Sequence, residues 1–235
     1  MSNKKYPTSD WAKWAESISI LKTDFVSLMT KREIWRALKN AYEKNSNYQI
    51  KQEAHQIIDW INRNYVDSML IGLRRIIDTS KDTVSLIKLL EEISKNPTVI
   101  TFDRYQTLWT SGSEQVNRMR ATEVFKRFSK DNRNLDVNII KNDIRELKES
   151  NERFINIVNH HIAHKGKDAD NPPLTYEELH AAFDKIAGIL NEYHALLTTV
   201  RVLNFAALLP VPIENIENMF SKMIFTDINT NDEYA

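Results

Sequence analysis

The sequence contains no cysteine, which excludes disulfides and any thiolate metal site. Glycine and proline are scarce, with 4 and 6 among 235 residues. So few chain breakers suit long helices joined by short loops and argue against a β-rich fold. Net charge is lacking as well, since 32 basic residues balance 32 acidic ones. Nothing marks a bulk polyanion binder, so any nucleic-acid contact has to be a local patch. No run is apolar and long enough to span a bilayer, and the N-terminus shows no signal-peptide core. A soluble, cytoplasmic protein is the expectation. There is no Gly-rich phosphate loop, no Walker-type lysine and no HExxH signature, so no cofactor is expected.

What is present is a 42% hydrophobic content laid out in helical periods. The pattern predicts an all-α bundle of five to seven helices in one domain over 1–235. Frayed tails are expected at 1–8 and 226–235. Thr8 or Ser9 caps a first helix from Asp10, with Trp11, Trp14, Ile18, Leu21 and Phe25 on its apolar side. A second segment covers 31–43 and includes Trp35. The three tryptophans suit core or dimer surface better than base stacking. A long helix is predicted over 48–77, and Ser80 or Asp82 is expected to cap another over 83–94. Residues 97–134 read as an insertion with a helix at 114–128. Asp136 is a suitable N-cap for a helix over 136–165. The break at 166–173 precedes Thr175-Tyr176-Glu177-Glu178, which has the form of a capping box. A long helix over 176–203 and a short one over 213–223 complete the chain.

The 136–165 helix carries three of the six histidines within five residues, His160, His161 and His164. At about 100° per residue, Ile140, Ile144, Leu147, Phe154, Val158 and Ile162 form one core arc. Arg153, Ile157, His160 and His164 follow at steps of four, three and four and make a second stripe. The stripes lie roughly 130° apart, so the histidine stripe faces solvent, a cleft or another subunit. His160 and His164 have the i,i+4 spacing of paired metal ligands, but the glutamate that completes the usual zinc motif is missing, and no metal is expected. Lys165 and Lys167 read most simply as C-terminal charges that complement the helix dipole, with phosphate contact as the alternative. Arg118 and Arg120 belong to the densest basic stretch, which is either a solvated face or a phosphate-contacting lip. Arg75 and Asp78, one turn apart, suggest an intrahelical ion pair or a helix-to-loop bond.

Two blocks, with the order and spacing between them, resemble the HEPN superfamily, in particular its abortive-infection AbiU-like branch. One is Leu73-Arg74-Arg75-Ile76-Ile77-Asp78 followed by Asp82-Thr83-Val84-Ser85-Leu86. The other is His161-Ile162-Ala163-His164-Lys165, then Leu174-Thr175-Tyr176-Glu177-Glu178-Leu179. The likeness spans roughly 20–205. It implies an antiparallel four-helix core, with the N-terminal helices and the 97–134 insertion packed around it. It further implies a homodimer that joins two Arg/His motifs in a cleft, phage defence as the setting, and metal-independent RNA cleavage. His164 and His160 would be the acid-base pair and Arg153 the phosphate clamp, with Lys165, Lys167, Arg118 and Arg120 as further phosphate contacts. An antitoxin or another defence-system protein is the implied partner. The chain departs from the pattern in one respect. Counting back from His164, the arginine falls at Ile157, Val158 or Asn159, and Asn159 keeps only the polar member. Two other readings stay open: a non-catalytic HEPN module that binds a protein or a nucleotide, and a plain helical scaffold.

Overall fold

The computed structural model describes residues 6–80, 82–131, 133–159, 174–202 and 212–226. Among these residues there are eight α-helices, one 3-10 turn and no strand. Two isolated bridges, Ile50 with Phe225 and Thr101 with Asn134, are the β-type pairings among the described residues. No described helix is long and apolar enough to cross a membrane.

The first helix, α1 (Ser9–Lys44), runs unbroken for 36 residues and merges the two segments expected at 10–28 and 31–43. No glycine or proline interrupts it, and Thr8 caps it through a 3.2 Å bond to the Trp11 amide. Helix α2 (Gln52–Ile77) starts later than expected, because Lys51 donates instead to the Ile224 carbonyl at 2.8 Å. Helix α3 (Leu86–Lys95) also starts late. Its cap is Ser85, whose Oγ accepts from the Lys88 amide, and not Ser80 or Asp82. The other helices are α4 (Phe102–Gln106), α5 (Glu114–Phe125), α6 (Val137–Ile157), α7 (Tyr176–Thr198) and α8 (Ile213–Ile224). Helix α7 ends before 203 because Thr199 takes a left-handed conformation, φ 60°, which closes the last turn on the Ala195 carbonyl.

The chain divides into two compact units. The first comprises Met1–Phe25 and Leu70–Leu203, the second Val26–Met69 and Asn204–Ala235. In the first, α6 packs against α3 and α7, and α5 packs against α4 and α7. The expected arc on α6 is buried as far as Val158: Ile140 and Leu147 are fully enclosed, and Ile144, Phe154 and Val158 nearly so, while Ile162 lies outside the described residues. Aromatic rings fill the rest. Trp11 stacks on Tyr105 with centroids 6.4 Å apart, and Phe128 meets Tyr193 edge-on at 4.9 Å. Both polar tips of the first pair are satisfied by the end of α7. Trp11 Nε1 donates to the Leu197 carbonyl and Tyr105 Oη to the Ala195 carbonyl. A buried carboxylate, Asp143, accepts from Tyr193 Oη at 2.8 Å and from Arg127 at 2.7 Å. Pairing of this kind is what makes a charge tolerable in a core.

The second unit has a leaner centre, built from Ala37, Leu38, Ala41, Ala54, Ile58, Phe220, Ile224 and Phe225. Trp35 stacks flat on Tyr65 at 5.0 Å and donates to Asn62 Oδ1. Trp11, Trp14 and Trp35 are all buried, so the core reading of the tryptophans holds. Glu217 joins α8 to α1 by accepting from Asn40 and Lys44.

Candidate functional site

The end of α6 is where the sequence concentrates its chemistry. Asp136 caps the start of this helix, with its carboxylate on the Asn138 amide at 2.9 Å. The helix then carries Arg153 and Asn159 to its far end, where residues 158–159 widen into a π-type turn. Such widened turns occur often at functional positions. His160, His161, His164, Lys165 and Lys167 lie outside the described residues.

Arg153 is partly exposed and pairs with Glu178 Oε1. Glu178 sits at the third position of α7 and completes the expected capping box. The Thr175 amide donates to its other oxygen, Oε2, at 2.9 Å, and its own amide donates to Thr175 Oγ1. The Thr175 amide is the largest influence on the Glu178 carboxyl and lowers it; burial opposes this, and Arg153 adds to the lowering, so the carboxyl lies below its ordinary range. Sequence reasoning found the box but not the arginine attached to it.

A groove of about 650 Å³ opens beside the same end of α6. Asn156, Asn159 and Glu152 line one side, and Arg74, Asp78 and Ser80 line the other. Asp78 lies just past the end of α2 and caps the turn that follows, accepting from the Ser80 amide at 3.0 Å and hydroxyl at 2.8 Å. Partial burial pushes its carboxyl up, but the Ser80 and Thr79 donors and the Arg74 charge outweigh that and leave it lowered. The expected pairing of Arg75 with Asp78 is therefore corrected. Arg75 points to Asp24 on α1 at 3.2 Å, and the cation beside Asp78 is Arg74. Arg74 went unremarked in the sequence although it belongs to the Leu73–Asp78 block.

Lys148 also lines the groove and pairs with Glu91 at 3.1 Å. With Glu149 and Glu152 facing the same space, acidic groups balance or exceed the cations there. Arg118 is placed elsewhere, in a depression of about 680 Å³ with Arg133, Asp103 and Asp131. Arg120 approaches Ser111 Oγ at 3.5 Å. The two depressions share no lining residue, so Arg118 is not brought to the end of α6.

Described residues that are helical throughout, with a helix that leads through an arginine and an asparagine into a histidine cluster, have the build of a HEPN-type protein. A family model for the AbiU2 group of HEPN proteins matches residues 14–207, and the chain belongs to that family. No curated protein and no solved structure matches the chain. The expected HEPN resemblance and the all-α class are thus both borne out.

Proposed function

We propose that the chain is an abortive-infection effector of phage defence that cleaves RNA without a metal ion, as a homodimer. A histidine of the 160–164 cluster takes the proton of a ribose 2′-hydroxyl, which attacks the adjacent phosphorus. The bond from phosphorus to the 5′-oxygen breaks, and a second histidine returns a proton to that oxygen. The products are a 2′,3′-cyclic phosphate and a 5′-hydroxyl. Arg153 supplies bidentate charge to the phosphorane, and Lys165 and Lys167 hold neighbouring phosphates. Asn159, at the groove, is a hydrogen-bond donor for the same phosphate or the base. An antitoxin or another defence-system protein is the partner that restrains it.

The supporting observation is that the last turns of α6 carry Arg153 and lead through Asn159 toward the histidines, with Arg153 on the α7 side and Asn159 on the groove side. The test incubates purified wild type, His164→Ala and Arg153→Ala with varied RNAs in the presence of EDTA. Cleavage by wild type, and its loss by about 100-fold or more in His164→Ala, is expected for an acid-base residue. Intact RNA with wild type, or equal cutting by both variants, removes the reading.

A second reading is a non-catalytic HEPN module that binds a protein or a nucleotide. It is favoured by the Arg153–Glu178 pair, which neutralises the clamp, and by Asn159 at a position where the motif expects arginine. RNA or nucleotide binding without any product selects it.

A further inference from the structure

The groove beside the end of α6 lies wholly within the first unit, since all its lining residues fall between Leu70 and Leu203. Its floor and walls differ in chemistry. Ile77 and Ile87, both buried, and the half-buried Ile155 make the floor apolar. Glu152, Asn156 and Asn159 follow at steps of four and three and form one polar wall on α6. Arg74, in the last turn of α2, belongs to the other wall. A space of about 650 Å³ is of the size that takes a small organic ligand.

Three carboxylates line this space, and two are already engaged. Asp78 accepts from Ser80, and Glu149 pairs with Arg145 at 3.9 Å. Glu152 is exposed and forms no ion pair among the described residues. Lys148 is drawn to Glu91. The groove therefore offers an acceptor-only group beside an apolar floor, with too little positive charge to seat a phosphate. A flat, uncharged ring with N–H donors along one edge suits it. Among the RNA bases, guanine alone sets two donors side by side, N1–H and the N2 amino group, matched to the two oxygens of one carboxylate. Adenine and cytosine set one amino group beside an acceptor nitrogen, and uracil sets its one N–H between two carbonyls.

We propose that this groove holds a guanine base. Its flat face rests on the isoleucines, and its N1–H and N2 amino group donate to the Glu152 carboxylate. O6 accepts from the Asn156 amide one turn along α6, and N7 from Arg74, since an arginine is the common partner of that edge. The inference deepens the preceding section by naming the base, and it rests on the RNA or nucleotide binding proposed there and not on cleavage.

The test titrates the full chain with short uridine RNAs that carry one guanine, inosine or adenine. Their sugars are 2′-fluoro, so no 2′-hydroxyl can attack. Fluorescence anisotropy shows the guanine RNA bound about tenfold or more tighter than the adenine one. Inosine, which lacks the 2-amino group, falls between them. Glu152→Gln, which puts an amide nitrogen in place of one acceptor oxygen, abolishes the preference, and Glu149→Gln keeps it. Guanosine, inosine and adenosine monophosphates bind in the same order if the ligand is a free nucleotide, whereas an order confined to the RNAs assigns the base to RNA. Equal binding of the three RNAs, binding of none, or a preference that survives Glu152→Gln with native circular dichroism overturns the proposal. A chain that prefers guanine but leaves RNA with natural sugars uncut keeps the groove and loses the nuclease. One that cuts RNA whatever the base beside the cut keeps the nuclease and loses the groove.

Discussion

The centre of the first unit is assembled from rings and one buried carboxylate: Trp11 on Tyr105, Phe128 against Tyr193, and Asp143 held by Tyr193 and Arg127. The centre of the second is assembled from three alanines, three larger aliphatic side chains and two phenylalanines, with the Trp35–Tyr65 stack beside them in the same unit. The polar anchor of the second, Glu217, ties α8 to α1 and is reached by the exposed Lys44. Large side chains gain more from burial per residue and leave larger holes when removed. Alanines let helix backbones approach closely but contribute little area of their own. The first unit should therefore be the more stable part and the less tolerant of truncation. The second should open first in amide hydrogen exchange.

Four measurements break or sharpen that contrast. The largest effect is expected from Asp143→Ala, which strands the Tyr193 hydroxyl and the Arg127 guanidinium beside a core. Chemical denaturation should show a loss of about 3–5 kcal/mol. A loss below 1 kcal/mol would mean the carboxylate is incidental to the first unit. Ile58→Ala comes next at about 2–3 kcal/mol, and it should hasten exchange in α8 while leaving α6 protected. Equal acceleration in both helices would show that the two units open as one. Thr175→Ala removes the cap of α7 and should cost about 1 kcal/mol.

The smallest effect is in the acid limb of stability. Burial depresses the His194 imidazole, with help from Lys22, and outweighs the Val200 carbonyl that favours the charged ring. The folded chain thus holds this ring neutral where the unfolded chain would protonate it. Its contribution is complete above the ordinary value of 6.5 and is lost progressively as pH falls below it. Glu217 is depressed by its bonds from Asn40 and Lys44, so its contribution is complete above 4.5 and fades only as pH falls lower still. His194→Gln should flatten the upper step of the stability profile, and Glu217→Gln the lower one. A profile unchanged by either substitution would remove this difference between the units.

What could be read from the chain was set by the reach of each interaction. The Thr175–Glu178 box and the Asp136 cap use neighbours three residues apart or fewer, and both were legible. The buried arc of α6 was legible because one face of one helix carries it. The start of α3 was not, because Ser80, Asp82 and Ser85 are all competent caps and packing chose among them. Nor was the partner of Arg75, since Asp24 lies on another helix. Tyr193 and Asp143 are 50 positions apart, and nothing local marks either as half of a pair. The candidate site divides in the same way. Arg153 stood out by its spacing and Asn159 through the resemblance, whereas the groove and Arg74 appear only once the last residues of α2 and the end of α6 line one space.

Glu178 serves two partners with two different oxygens. Oε2 keeps the first turn of α7 wound, and Oε1 keeps Arg153. The arginine can therefore be surrendered without unravelling the helix that restrains it. On the Glu178 side, losing the arginine leaves the backbone bond to Oε2 in place. On the function proposed above, the phosphate clamp waits on a carboxylate that can let it go at little expense to the first turn of α7.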